Sequence, residues 1–248
     1  MILTHNHYDT IGKTYAEYRR ADPRIAAQII AALAEAKTIV NVGAGPGSYE
    51  PKDRNVVAVE PSQIMIRQRA RDAAPVVRAS AMQLPFQDGA FDAALAIFTV
   101  HHWPDQQRGL KEMSRVAARS VILTWDQAHA STMWLMRDYF PAIGHQGRTI
   151  CPPLDTYRRI FGRVRIVPLP IPHDCIDGFL LAYWRRPEAY FDAGVRSAIS
   201  AFADLPELDR GLTRLRRDLS DGSWVARNGA LLKLAEFDLG YRLVVAER

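Results

Sequence analysis

Three glycines at alternate positions, Gly43, Gly45 and Gly47, follow the apolar run Thr38-Ile-Val-Asn-Val42, and Glu60 closes a second run, Asn55-Val-Val-Ala-Val59. Glycine takes positive φ and lets a ligand approach the backbone with no Cβ between them. An acid at the tip of the next strand accepts two neighbouring ribose hydroxyls. The pair describes a site for an adenosine-containing cofactor. A nicotinamide fingerprint would space its glycines as G-x-G-x-x-G and aim a helix N-terminus at the pyrophosphate. Here the third glycine comes one residue early, and the stretch from Ser48 to Arg54 is short and interrupted by Pro51. The spacing therefore favours a ligand without phosphate.

A second group of candidates is His101-His102-Trp103, after an apolar run that reads as the fourth strand, at the sheet edge where ligands bind in open α/β folds. Histidine titrates near neutrality and suits a general base. Asp126, which follows the fifth strand, is a rival, as are His129 and His173-Asp174. Two adjacent histidines make no zinc site without further ligands, and no metal is expected.

The segments Asn41-Val-Gly-Ala-Gly-Pro-Gly47, Val57-Ala-Val-Glu60-Pro-Ser62, Ala79-Ser-Ala-Met-Gln-Leu-Pro-Phe86 and Phe91-Asp-Ala-Ala-Leu-Ala-Ile-Phe-Thr-Val-His-His-Trp103 occur in that order. Together they resemble the class I S-adenosylmethionine (SAM)-dependent methyltransferases, in their small-molecule branch, which includes quinone-biosynthesis enzymes. The resemblance implies an α/β fold: a Rossmann-like, doubly wound, seven-stranded sheet with the last strand antiparallel, plus a mostly helical cap. It implies SAM as cofactor and in-line methyl transfer to a small hydrophobic or aromatic acceptor.

By the same resemblance Gly43, Ala44, Gly45 and Gly47 approach the methionine part of SAM, Glu60 and Pro61 meet the ribose, and Met65 packs on adenine. Ser80, Ala81 and Met82 read the adenine edge, and Thr99 joins the cofactor contacts. A lid segment, Tyr8 to Arg19, contributes Tyr15 and Arg19, with Arg19 pairing the cofactor carboxylate. His101, His102 and Asp126 are the catalytic candidates. Two departures stand out: Asn41 occupies the place where the family usually has an acid, and the helix after the glycines is cut short.

The elements that position these residues are legible. Asp22-Pro23 opens a helix with Ile25, Ile29 and Leu33 on one face. Ser62 caps a helix running through Met65 to Arg69. Pro104-Asp105 open another, with Leu110, Met113, Val116 and Ala117 inward. Strands are expected at Thr38–Val42, Asn55–Val59, Val76–Ala79, Phe91–Phe98, Ser120–Trp125, Val164–Leu169 and Gly240–Ala246, an alternation that builds a parallel sheet covered on both faces. The expected organisation is lid helices over residues 1–36, a cofactor-binding core over 37–170, a cap over 171–238 and a closing strand over 239–248.

Composition bounds the remainder. A chain of 248 residues with 48% hydrophobic content suits one domain with an ample core. No apolar run is long enough to span a membrane, and the start lacks the pattern of a secretory signal. Two cysteines, Cys151 and Cys175, fit a reducing cytoplasm better than a disulfide framework. The net charge of +5 gathers in arginine clusters around Arg67–Arg71, Arg158–Arg165, Arg185–Arg186 and Arg210–Arg217. These read as solvated helix faces, with Leu212, Leu215 and Leu219 as an apolar stripe beside the last. A nucleic-acid partner is not expected. RNA or protein methylation, or SAM binding without catalysis, are the alternative readings. The aromatic residues Trp125, Trp134, Tyr183 and Trp184 motivate an apolar acceptor.

Overall fold

The computed structural model describes residues 15–145, 151–203 and 205–248. A one-turn helix α1 (Tyr15–Tyr18) precedes α2 (Pro23–Leu33), whose N-terminus is capped by Asp22 accepting from the Arg24 N–H. Strand β1 (Thr38–Val42) runs into the glycine loop and β2 (Asn55–Val59) follows with no helix between them. Ser62 caps the short α3 (Gln63–Arg67). Then come β3 (Val76–Val77), β4 (Phe91–Ile97) and α4 (Gln106–Val116), capped by Asp105. Ala117, expected on the inward face of that helix, is instead the first residue of β5 (Ala117–Trp125). Helix α5 (Leu154–Phe161) leads into β6 (Arg163–Pro168).

Seven strands form one sheet in the order β3-β2-β1-β4-β5-β9-β6, with β9 (Tyr241–Glu247) antiparallel to both neighbours. Successive strand residues enter opposite cores. Ile39, Ala93, Leu95 and Val121 face α2 with Ile25, Ile29 and Leu33. Val40, Ala94, Ala96 and Ile122 face α4 with Leu110, Met113 and Val116. Because both faces are covered, the strands read as continuous apolar runs rather than alternating ones. Each fully buried Leu or Met contributes roughly 1.5–3 kcal/mol.

The region between β6 and β9 holds α6 (Leu208–Ser220), α7 (Ser223–Asn228) and shorter turns. It also contains a two-stranded ladder that sequence periodicity did not show: β7 (Ile171–Pro172) against β8 (Glu236–Phe237). Trp134, in the segment after β5, packs edge-on against Tyr190 and Trp224, so that segment shares the aromatic core of this region. No helix among the described residues is long and apolar enough to cross a membrane.

Candidate cofactor and acceptor site

The carboxyl ends of β1, β2 and β4 lie side by side, with Asn41 registered to Ala58 on one neighbour and Leu95 on the other. The glycine loop turns sharply there. Gly43 has φ +70°, and a Cβ on it would stand 2.0 Å from Thr99 Oγ1. The close approach of Thr99 and the left-handed backbone both require glycine. The Gly43 and Ala44 N–H groups donate to the Val59 carbonyl at 2.8 and 3.0 Å, which fixes the loop to the tip of β2.

Glu60 is 7% exposed, and its two oxygens are aimed by the backbone. Oε2 accepts from the Gly45 N–H at 2.8 Å and Oε1 from the Ser62 N–H at 2.9 Å. Each carboxylate oxygen has a further lone-pair site, so the group can also accept from a pair of hydroxyls. Glu60→Ala is expected to weaken binding of S-adenosylhomocysteine by about 1–3 kcal/mol, the cost of unpaired buried donors. Titration calorimetry checks this, and an unchanged affinity would place the acid outside the cofactor site.

These residues wall a pocket of about 1240 Å³ open to solvent. The sequence candidates Arg19, Gly43, Ala44, Gly45, Glu60, Pro61, Met65, Ser80, Ala81, Met82, Thr99 and His102 all line it. Gly47 instead faces the neighbouring groove beside β2. Ser80 shapes its part of the pocket wall through a turn: its Oγ accepts from the Met82 N–H and its carbonyl from the Gln83 N–H. Tyr49 and Phe98 also line the pocket without being sequence candidates, as do Ser62, read from sequence as a helix cap, and Trp103, which follows the histidine pair. The lid residues 8–14 lie outside the described residues, and of Tyr15 only the backbone is described.

A second pocket of about 590 Å³ adjoins the first, and Arg19, Phe98 and His102 belong to both. Its walls come from the sheet (Thr124, Trp125, Tyr241) and from the region beyond β6 (Phe179, Leu180, Ile199). Phe98 is its hinge-pin: a non-glycine residue at φ +52°, its ring against Phe179 at 4.8 Å and Tyr241 at 5.5 Å. A left-handed backbone here costs about 1–2 kcal/mol, and packing on both sides holds it. Trp134 and Trp184 line neither pocket; they are buried with each indole N–H donating to a backbone carbonyl. Of the tryptophans that motivated an apolar acceptor, Trp125 alone reaches this wall.

Arg19 is the one charged side chain among the lining residues of the second pocket. Its Nε donates to Asp177 Oδ1 at 2.6 Å, and its guanidinium lies 5.6 Å from the Phe98 ring. His101 lines only this second pocket, its ring 3.8 Å from that of His102. Burial, aided by the Arg19 charge, pushes its pKa down to about 4, so His101 is neutral at physiological pH.

Asp126 lines neither pocket; it caps a turn by accepting from the His129 N–H and lies 4.0 Å from Arg242. His129 bonds the Asp238 carbonyl, and Asp174 pairs with Arg24. Among the described residues no cluster of His, Cys, Asp and Glu could hold a metal ion.

The loop whose closely packed glycine leaves room for a ligand, and the aimed acid beside it, fit an adenosine-bearing amino acid. A methyltransferase-domain family profile matches residues 40–124. The solved structure of an Anabaena variabilis methyltransferase assigned to an antibiotic biosynthesis pathway is 33% identical, with a TM-score of 0.84 over 93% of this chain and 99% of that one. The chain belongs to the class I SAM-dependent methyltransferases. SAM is its cofactor. The methyltransferase is also 28% identical over 133 residues to a tRNA (carboxymethyluridine(34)-5-O)-methyltransferase of Xenopus tropicalis, covering 49% of this chain and 20% of that one. It is 27% identical over 110 residues to a 2-methyl-6-phytyl-1,4-hydroquinone methyltransferase of Oryza sativa, covering 40% of this chain and 31% of that one. The chain thus spans a third or less of the length of these two relatives.

Proposed function

We propose that this methyltransferase modifies a small, predominantly apolar acceptor held in the second pocket. The observation that carries the reading is that pocket itself: it shares Arg19, Phe98 and His102 with the cofactor pocket, and its one charged side chain is already paired with Asp177. Such a lining suits an uncharged, partly aromatic molecule. Bound SAM supplies an electrophilic methyl group; the chain supplies alignment and exclusion of water. Phe98, Phe179 and Tyr241 clamp the acceptor, and His101, neutral by virtue of its burial, takes the proton if the acceptor is a hydroxyl or amine.

The arginine clusters support the small-molecule reading. Arg69 is buried against Glu50, Arg158 pairs with Asp155, and Arg217 pairs with Asp218. Arg216 lies over the Phe191 ring, and Arg185 and Arg186 donate to backbone carbonyls.

The deciding experiment offers labelled SAM with a panel of hydroquinones, phenols and apolar amines, and separately with bulk tRNA. Transfer to a member of the panel supports the proposal. Transfer to tRNA alone, weakening steeply with salt, would replace it with the reading that the Xenopus relative's name suggests.

His101→Ala is expected to lower kcat by about 10²–10⁴-fold for a protonated acceptor while S-adenosylhomocysteine affinity stays near that of the parent. His102→Ala, which opens the wall between both pockets, should weaken both. Because the His101 pKa lies below its unfolded value, the neutral form favours the fold: that stability is present above about pH 6.5 and is lost as the pH falls toward 4. Turnover should accordingly show no loss from His101 protonation between pH 8 and about 5.5. Equal losses of kcat and cofactor affinity in His101→Ala would assign the residue to packing.

A further inference from the structure

Beneath the glycine loop, where the β1–β2 connection has no helix, lies a buried ion pair. The Arg69 and Glu50 side chains are 5% and 7% exposed. Arg69 Nη2 donates to both Glu50 oxygens, at 2.8 and 2.7 Å, and to the Ala74 carbonyl at 2.9 Å. Arg69 Nη1 donates to the Gly45 carbonyl at 3.0 Å. Glu50 in turn accepts from Asn41 Nδ2 at 3.1 Å through Oε1 and from the Ala74 N–H at 3.2 Å through Oε2. A Cβ on Gly47, at φ +90°, would stand 2.9 Å from Glu50 Oε2, so the loop lies directly on this carboxylate.

The consequence is that Gly45 is held from two sides. Its N–H goes to Glu60 and its carbonyl to Arg69, which Glu50 fixes in place. In a chain whose loop is followed by a full helix, the helix hydrogen bonds would order this turn. Here the segment Ser48–Arg54 contains none, and side chains do that work. Arginine suits the post because its planar fork reaches two carboxylate oxygens and two carbonyls at once, which an ammonium cannot.

We propose that Glu50, held by Arg69, is the positioning carboxylate of the glycine loop, supplying from the β1–β2 connection the charge that Asn41 lacks at the end of β1. Neither side chain needs to touch the cofactor; both act through the Gly45 peptide. The proposal rests on the family's cofactor and not on the identity of the acceptor.

Calorimetric titration with S-adenosylhomocysteine, alongside thermal unfolding, tests it in the full chain. Glu50→Gln should weaken binding by about tenfold or more. Asn41→Asp combined with Glu50→Gln places a carboxylate at the position whose side chain bonds residue 50, within the same hydrogen-bonded cluster, and should recover affinity to within about threefold of the parent. A purely structural pair would not be rescued by moving the charge to β1. Parent-like affinity in Glu50→Gln, or a double variant that binds no better than the single one, would overturn the proposal. If Glu50→Gln does not fold, Arg69→Lys keeps the charge but loses the fork; its affinity should fall by a similar factor, and parent-like binding there would equally overturn it.

Discussion

Asp177→Ala is expected to destabilise the protein by about 3–5 kcal/mol, the range for removing one partner of a buried pair. Asp177 is 1% exposed and sits at the junction of three parts of the chain. Its Oδ1 accepts from Arg19 Nε at 2.6 Å and its Oδ2 from the Tyr49 hydroxyl at 2.9 Å. Tyr49 in turn accepts from the Asp22 N–H, at the cap of α2. Burial and the neighbouring Asp177 charge raise the Tyr49 phenol well above its ordinary pKa, so it remains a donor at any physiological pH. The Gly178 N–H adds a backbone bond to the Tyr18 carbonyl at 2.9 Å. The carboxylate therefore joins the N-terminal segment, the glycine-loop connection and the region beyond β6. Its loss leaves a guanidinium that is only 11% exposed facing no carboxylate at that position. For a chain of this size the change corresponds to a fall in Tm of about 6–20 °C. Asp177→Asn keeps the shape and one acceptor oxygen and should cost roughly half as much. A melting temperature within about 2 °C of the parent for the alanine variant would show that the junction contributes nothing.

Gly43→Ala is expected to abolish measurable cofactor binding and to cost about 2–5 kcal/mol of stability, combining a left-handed backbone with overpacking. The added methyl would stand 2.0 Å from Thr99 Oγ1 and 2.9 Å from Thr99 Cβ, so a change of rotamer at Thr99 does not remove the clash. Thr99 is itself held, because its Oγ1 accepts from Trp103 Nε1 at 3.3 Å, and Trp103 lies against Gly109 of α4. The loop must therefore move, which breaks the Gly43 and Ala44 bonds to Val59. Gly89→Ala is the matched control. That residue is also left-handed, at φ +65°, but nothing lies within 4 Å of its added Cβ. It should cost only the backbone strain of about 1–2 kcal/mol and leave S-adenosylhomocysteine affinity unchanged. Parent-like affinity in Gly43→Ala, equal to that of Gly89→Ala, would show that the contact with Thr99 does not make Gly43 necessary for cofactor binding.

Much of the site was legible because its signals are local. The apolar strand, alternate glycines and terminal acid are consecutive in sequence, and Glu60 does reach back to Gly45 across the loop. Helix starts were equally readable: Asp22, Ser62 and Asp105 each accept from a backbone N–H two or three residues on, a pattern that needs no tertiary information. The end of α4 is not legible in the sequence because Ala117 continues the apolar period of the helix, yet pairing with Phe91 draws it into β5. The role of Asp126 was out of reach for a similar reason. An acid after a parallel strand sits at the edge where ligands bind in open α/β sheets, and its capping bond and its absence from both pocket walls emerge only from the fold.

The strands, the glycine loop and the acid beside it are readable from the chain alone, because strand patterning, glycine conformation and capping are decided within a few residues, while the antiparallel last strand was implied by the family resemblance. Tertiary structure alone decided which groups those elements meet. Asp177 lies 158 residues from Arg19 and 128 from Tyr49, and Glu50 lies 19 from Arg69. A buried charge is stable only with a partner in reach. The positions of those partners are set by how the chain returns over the sheet, and no periodicity records that.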